Sequence, residues 1–302
     1  MSTHKYFHDN RNDQILIYVN GEILPRDKAK ISVFDSGFLL GDGVWEGIRF
    51  HNGHLVFIQE HLDRLFHGAS SLDIDIGISE DRIKSLIISV LDANKMVTDI
   101  HIRLVVSRGL KKTPYQHPNA NIGGSTIVII PEYKKADKTI NKKGISLATV
   151  SARRGTADTQ DPRLNTLSKL NCIFACLEAD KKGADEGLMK DVNGNVSTCN
   201  STNFFIIKEK EVWTSTGEYC LPGVTRGAII QLCKENNIPI YKKNFSVDDV
   251  INADEAFVTG TFAGVIPAVN IDGKMIGDGK RGHVTETLFN LYRNKIETLY
   301  SS

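Results

Sequence analysis

Arg103, in the run His101-Ile102-Arg103-Leu104-Val105, and Arg108 carry planar guanidinium forks of the kind that take a carboxylate by two hydrogen bonds. On an alternating strand, Arg103 reads equally well as an outward-facing cation. His101 and His117 have the side chain suited to acid–base work near neutral pH, but no nucleophile stands beside either, so both read as structural or surface histidines. The backbone N–H groups of Val224 and Thr225 fall where a helix begins after Leu221-Pro222-Gly223. A helix start favours anions, although an ordinary helix entry uses the same residue types. No HExxH, GxSxG or Walker pattern occurs, and Gly41-Asp42-Gly43 is too short for a nucleotide loop. The five cysteines, at 172, 176, 199, 220 and 233, are odd in number and lack CxxC spacing. Neither a disulfide framework nor a zinc ribbon is implied, and no metal site is expected.

The chain has 302 residues and a formal net charge of +1. That length favours two domains, and the charge balance argues against a nucleic-acid binder, whose phosphate affinity needs clustered Lys and Arg. The basic runs Arg108 to Lys112 and Lys134 to Lys143 are broken by other residue types and read as solvated loops. No 18-residue apolar stretch is present and the first fourteen residues contain no apolar segment, so a cytoplasmic protein without a membrane partner is expected.

The elements that must position these side chains follow from periodicity. Ile15 to Leu24, turning at Asn20-Gly21, reads as a hairpin; Ser32 to Phe38 and Gly47 to Phe50 read as extended. Helical spacing covers Gln59 to Ser70 and Glu80 to Leu91, and strands are expected at Asp99 to Val106 and Ser125 to Ile130. This predicts an N-terminal α/β domain over 1–130, a polar connector at 131–143 and a C-terminal domain over 144–302. In the latter, Ile145 to Val150 opens as a strand, and a long helix is expected from Leu164 to Lys182, burying Leu167, Leu170, Ile173, Phe174 and Leu177. Further strands are expected at 186–190, 204–207, 212–214, 255–258 and 265–269, with helices at 224–236 and 284–299.

Four segments in register carry a resemblance: SVFDSGFLLGDGVWEGIRF (32–50), EHLDRL (60–65), LPGVTRGAI (221–229), and ADEAFVTGTFAG with IPAVNIDGKMIGDGKRG (253–264, 266–282). Together they are similar to the class IV aminotransferases, pyridoxal-phosphate (PLP) enzymes that include the branched-chain and D-amino-acid aminotransferases. The resemblance implies the fold type IV architecture, α/β and α+β in two domains: a small N-terminal α/β domain and a larger C-terminal domain with a barrel-like sheet. It implies PLP in the cleft between them, an amino acid or keto acid as substrate, and a homodimer whose partner helps to close each active site. Arg64 resembles the family's phosphate-binding arginine, the amides of Val224 and Thr225 a cradle for phosphate oxygens, and Thr261 the remaining phosphate donor. Phe38 and Trp45 match positions that line the substrate side-chain pocket, with Arg103 as a carboxylate contact.

Three positions depart from the family pattern. A gap-free match places Asn165 where relatives carry the Schiff-base lysine, and an amide has no nucleophilic amine. Thr198 stands where relatives place a glutamate that keeps the pyridine nitrogen protonated. Gly260-Thr261-Phe262-Ala263-Gly264 replaces GTAAE, so that Phe262 narrows the pocket and Gly264 lacks a carboxylate. Lys169 lies four residues after Asn165, on the same face if the helix has begun by 165, and is the candidate for a relocated Schiff-base lysine. The expected activity is therefore transamination of branched-chain or other apolar amino acids through Lys169. The alternatives are a lysine-less homologue that binds PLP, its amine form or another anion noncovalently, and a related PLP lyase.

Overall fold

The computed structural model describes residues 8–134, 139–262 and 264–300, which divide into two compact units. The first comprises 8–134, Leu164–Lys169 and Tyr300; the second comprises 139–163 and, of the described residues, Leu170–Leu299.

The first unit is built on β1 (Leu16–Val19), β2 (Glu22–Pro25), β3 (Gly43–His51), β4 (His54–Val56), β5 (Ile100–Ser107) and β8 (Thr126–Tyr133); β6 (Leu110–Lys111) and β7 (Asn121–Ile122) pair separately. The antiparallel order is β2-β1-β8-β5-β3-β4. Period-two alternation sends Val44, Ile48, Phe50, Ile100, Ile102, Leu104, Val106, Ile127 and Ile129 into one core. Helices α2 (Ile58–Ser71) and α3 (Glu80–Ala93) supply Leu62, Leu65, Ile83, Ile87 and Val90 to it at 3.6-residue spacing. Each such side chain contributes about 1.5–3 kcal/mol on full burial. Glu46 is the exception on β3, fully buried on the core side. Trp45, Gly47, His101, Arg103, Ile130 and Glu132 occupy the opposite face, as the paired registers require.

The expected extended run at 32–38 is corrected: Ser36–Leu40 form a short helix, α1, because the Asp35 carboxylate caps it by accepting from the Gly37 N–H at 2.8 Å. Of the expected connector, 131–133 complete β8, Ile140–Lys143 form α4, and 135–138 lie outside the described residues.

The second unit holds β9 (Ile145–Arg153), β10 (Glu186–Lys190), β11 (Val196–Cys199), β12 (Asn203–Lys208), β13 (Glu211–Thr214), β14 (Ile240–Lys242), β15 (Glu255–Gly260), β16 (Gly264–Ile271) and β17 (Lys274–Met275). They form one nine-stranded mixed sheet, β11-β10-β9-β16-β15-β12-β13-β14, with β17 on β16. Phe204 to Ile207 are buried in succession, and Phe205 stacks on Phe257 at 4.7 Å between centroids. Its helices are α5 (Ala157–Gln160), α6 (Leu170–Lys181), α7 (Val224–Glu235), α8 (Val247–Ile251) and α9 (His283–Leu299).

Two expectations for the long helix are corrected. It begins at Leu170 rather than Leu164, and the apolar stripe Leu170, Ile173, Phe174 and Leu177 faces solvent, each residue at least half exposed. Ala175 and Ala179 are buried instead, against Val150 and Met189. The reason is close approach: a Cβ at Gly187 of β10 would lie 2.8 Å from the Ala175 carbonyl oxygen, so only small residues fit that side of α6.

Candidate functional site

Residues Leu164–Lys169 determine the chemistry available. The Trp45 N–H donates to the Asn165 carbonyl at 3.0 Å and the Leu167 N–H to the Gly43 carbonyl at 2.9 Å, with Val44 and Thr166 bridged antiparallel. Three glycines between the start of α1 and the start of β3, at 37, 41 and 43, make room for this segment. A Cβ at Gly43 or Gly37 would press on Leu167, and one at Gly41 would meet the Ser168 backbone. The segment at 165–167 is therefore strand-like. Helix α6 starts only at Leu170, so Lys169 is not one helical turn from Asn165.

Asn165 is buried, and its Nδ2 donates to the Trp45 carbonyl at 2.6 Å. Its Oδ1 has no hydrogen-bond partner among the described residues. The Lys169 ammonium lies 5.7 Å from the centroid of the Trp45 ring, and the Arg103 guanidinium carbon lies 4.1 Å from it. One indole thus carries two cations, an arrangement its quadrupole favours. Surrounding protein lowers the pKa of Arg103 through desolvation, opposed by the charge of Glu132. The structure brings Lys169, Asn165, Trp45 and Arg103 together. Phe38, on α1, is exposed.

Behind this face, Arg64 donates from Nε and Nη2 to the two Glu46 oxygens, each at 2.7 Å, and His61 Nδ1 lies 2.6 Å from Glu46 Oε2. Burial would raise the Glu46 pKa, but the Arg64 charge and the hydrogen bonds from His61 and Arg64 outweigh it and hold the group below its ordinary value. The Nε–Nη2 fork of Arg64 is thus spent on Glu46. Arg108 likewise commits its fork to Asp42, at 2.7 and 3.0 Å. His117 accepts from the Asn119 N–H, the structural role expected of it.

In the second unit, Thr198 on β11 donates its hydroxyl proton to the Thr202 carbonyl at 2.7 Å. Thr202 in turn donates to buried Glu186 at 2.7 Å. Thr198 consequently has lone pairs to offer a ligand, but neither a proton nor a charge. Helix α7 starts at Gly223 without a side-chain cap, which leaves its first amides, Val224 and Thr225 among them, without intrahelical acceptors. A Cβ on Gly223 would collide with Asn203 Oδ1, while Asn203 Nδ2 donates to the Leu221 carbonyl at 3.0 Å. Thr225 is buried, its hydroxyl 3.5 Å from that of Tyr292. Thr261 and Phe262 occupy the turn closed by the Gly260–Gly264 pair. Gly264 has φ +68° and stands against the Tyr292 ring, so a glutamate there would meet both backbone strain and a clash.

Sequence reasoning missed two buried arginines. Arg226, in the first turn of α7, donates to the Ser215 carbonyl at 2.6 Å and to Thr214 at 3.4 Å. Arg154 donates to the carbonyls of Tyr219 and Pro162 and to Cys172 Sγ. Burial lowers the Arg226 pKa, opposed by Cys220. These hydrogen bonds go to carbonyl, hydroxyl and thiol groups rather than carboxylates, and the two side chains pin opposite ends of the 215–219 loop leading to α7. The only sequence signal was the arginine in LPGVTRGAI.

The six-stranded antiparallel sheet of one unit and the nine-stranded mixed sheet of the other are the architecture of fold type IV proteins. Residues 43–271 match the amino-transferase class IV family model, and the chain belongs to that family. It is 39% identical over 95% of its length to the branched-chain-amino-acid aminotransferase-like protein 1 of Arabidopsis thaliana, and spans about half (51%) of that relative. It is 35% identical to a putative branched-chain-amino-acid aminotransferase of Methanocaldococcus jannaschii, covering 90% of this chain and 93% of that one. Among solved structures it resembles a T.th. branched-chain amino acid aminotransferase with pyridoxamine 5'-phosphate, with TM-score 0.89 and 26% identity over 95% of this chain and 96% of that one. No helix among the described residues is long and apolar enough to cross a membrane.

Proposed function

We propose that this chain binds a phosphorylated pyridine ligand of the PLP type without a covalent bond and does not carry out ordinary transamination. The observation that carries this reading is Asn165. Asn165, which the sequence match sets at the family's lysine position, is an amide held to the Trp45 carbonyl, with neither a nucleophilic electron pair nor a titratable proton near neutral pH. Thr198 supports it, because a hydroxyl already donating to Thr202 cannot hold a ring nitrogen protonated. Relocation of the Schiff base to Lys169 loses its premise, since residues 165 and 169 share no helix. In this reading Lys169 is a cation lying over Trp45.

The family's cofactor, when bound, supplies an electron sink through its pyridinium ring. Here the fit is to its phosphate and not to its Schiff-base or ring-nitrogen chemistry. The amides of Val224 and Thr225 and the Thr261 turn hold the dianion, while the α7 dipole and the pinned 215–223 loop fix the cradle. Trp45, Phe38 and Arg103 receive an amino or keto acid. A homodimer belongs to the same reading, because the α6 stripe exposes Leu170 (61%), Ile173 (51%), Phe174 (56%) and Leu177 (51%) at helical spacing. Calorimetric titration with PLP and with unphosphorylated pyridoxal tests the core of it. Saturable one-site binding of PLP, at least roughly tenfold tighter than pyridoxal, is expected from the lost charged hydrogen bonds. Absence of saturable binding of both PLP and its amine form, pyridoxamine 5'-phosphate, would overturn the reading.

A further inference from the structure

Asn165 has an orientation that its neighbour dictates. With the Trp45 carbonyl oxygen 2.6 Å from one end of the amide, that end must be the NH2 group, because two acceptors cannot stand at that distance. The other end is therefore Oδ1, an acceptor buried with the rest of the side chain and lacking any partner among the described residues. The strand pairing puts Asn165 directly opposite Trp45, on the same side as that ring and its two cations. Buried polar atoms are rarely left unsatisfied, and an orphan acceptor on the side of the Trp45 ring and its cations calls for a donor from outside the chain.

From this geometry, and resting on the noncovalent reading above, we infer that Asn165 is a specificity residue that selects the amine form of the cofactor, pyridoxamine 5'-phosphate, over the aldehyde form. An amine can donate to Oδ1. An aldehyde oxygen can only accept, and would set lone pairs against lone pairs. A site built to meet a hydrogen-bond donor discriminates against an analogue lacking it, because its own polar group is then left unpaired. The aldehyde's usual compensation, a covalent bond to the amine at this position, is not on offer from an amide.

The test is a calorimetric series on the unaltered protein with four ligands that differ only at the 4' position. Pyridoxamine phosphate and pyridoxine phosphate carry a donor there; PLP and 4-deoxypyridoxine phosphate do not. The expected result is that both donors bind about 10- to 100-fold tighter than both non-donors. Asn165→Ala should reduce that gap to within about threefold by weakening only the donors. Equal affinities across the series, or tighter binding of 4-deoxypyridoxine phosphate, would overturn the selectivity while leaving noncovalent binding intact. Binding of none of the four would overturn the functional reading itself. Because the ligand series needs no variant, the inference stays open to refutation even if the alanine variant fails to fold.

Discussion

Glu46→Gln is the perturbation whose cost can be worked most directly. The carboxylate is fully buried and accepts two charge-assisted hydrogen bonds from Arg64 at 2.7 Å, with His61 Nδ1 at 2.6 Å. Glutamine keeps the shape but removes the charge, and turns an NH2 group toward donors. Breaking a buried ion pair from one side typically costs about 3–5 kcal/mol. At about 2–4 °C per kcal/mol for a unit of this size, the melting temperature should fall by roughly 6–20 °C. The chain has two tryptophans, Trp45 in the first unit and Trp213 in the second. In a Trp213→Phe background, urea unfolding followed by fluorescence reports the unit that contains Glu46. The pH dependence has a defined sign. The folded-state pKa lies below the ordinary value of 4.5, so the stabilisation is fully present above that value and is lost as pH falls through the folded pKa. Parent and variant should therefore converge on acidification. A variant within about 1 kcal/mol of its parent at pH 7 would refute the reasoning that Glu46 is a buried charge held by Arg64 and His61.

Other outcomes follow from single contacts. Gly187→Ala should destabilise by about 1–3 kcal/mol in urea unfolding, because its Cβ would press on the Ala175 carbonyl. For the proposed homodimer, Phe174→Arg should shift sedimentation velocity to monomer while the native circular-dichroism spectrum is kept, because Phe174 is already exposed in the single chain. Asn165→Lys should put an amine at 165, so that borohydride reduction with PLP fixes one adduct that peptide mapping places at position 165.

Much of the scaffold was legible because its patterns are local. The alternation in β3, β5 and β8 and the 3.6-residue spacing of α2, α3, α7 and α9 identify those elements without reference to partners. The misreadings fall where a distant residue decides. The run from Leu164 to Lys182 has continuous helical spacing, yet its first residues pair with β3 over the glycines at 37, 41 and 43. Apolar content pointed to Leu170, Ile173, Phe174 and Leu177 as the buried face of α6. The close approach of Gly187 gave that role to Ala175 and Ala179.

Strand β11 went unread because Ser197 and Thr198 look like loop residues. Both are buried with their hydroxyls donating to the carbonyls of Tyr219 and Thr202. At the site, the amide at 165 and the hydroxyl at 198 were plain in residue identity. The commitment of the Arg64 fork to Glu46, and the two buried arginines pinning the loop before α7, left no mark in spacing.

The central claim, a class IV aminotransferase fold whose ligand is not covalently held, is tested most directly by the intact mass of the PLP-saturated protein after borohydride reduction. The account predicts no stoichiometric adduct on any lysine. A single stoichiometric adduct mapped to Lys169 would contradict it and restore that residue as the Schiff-base amine.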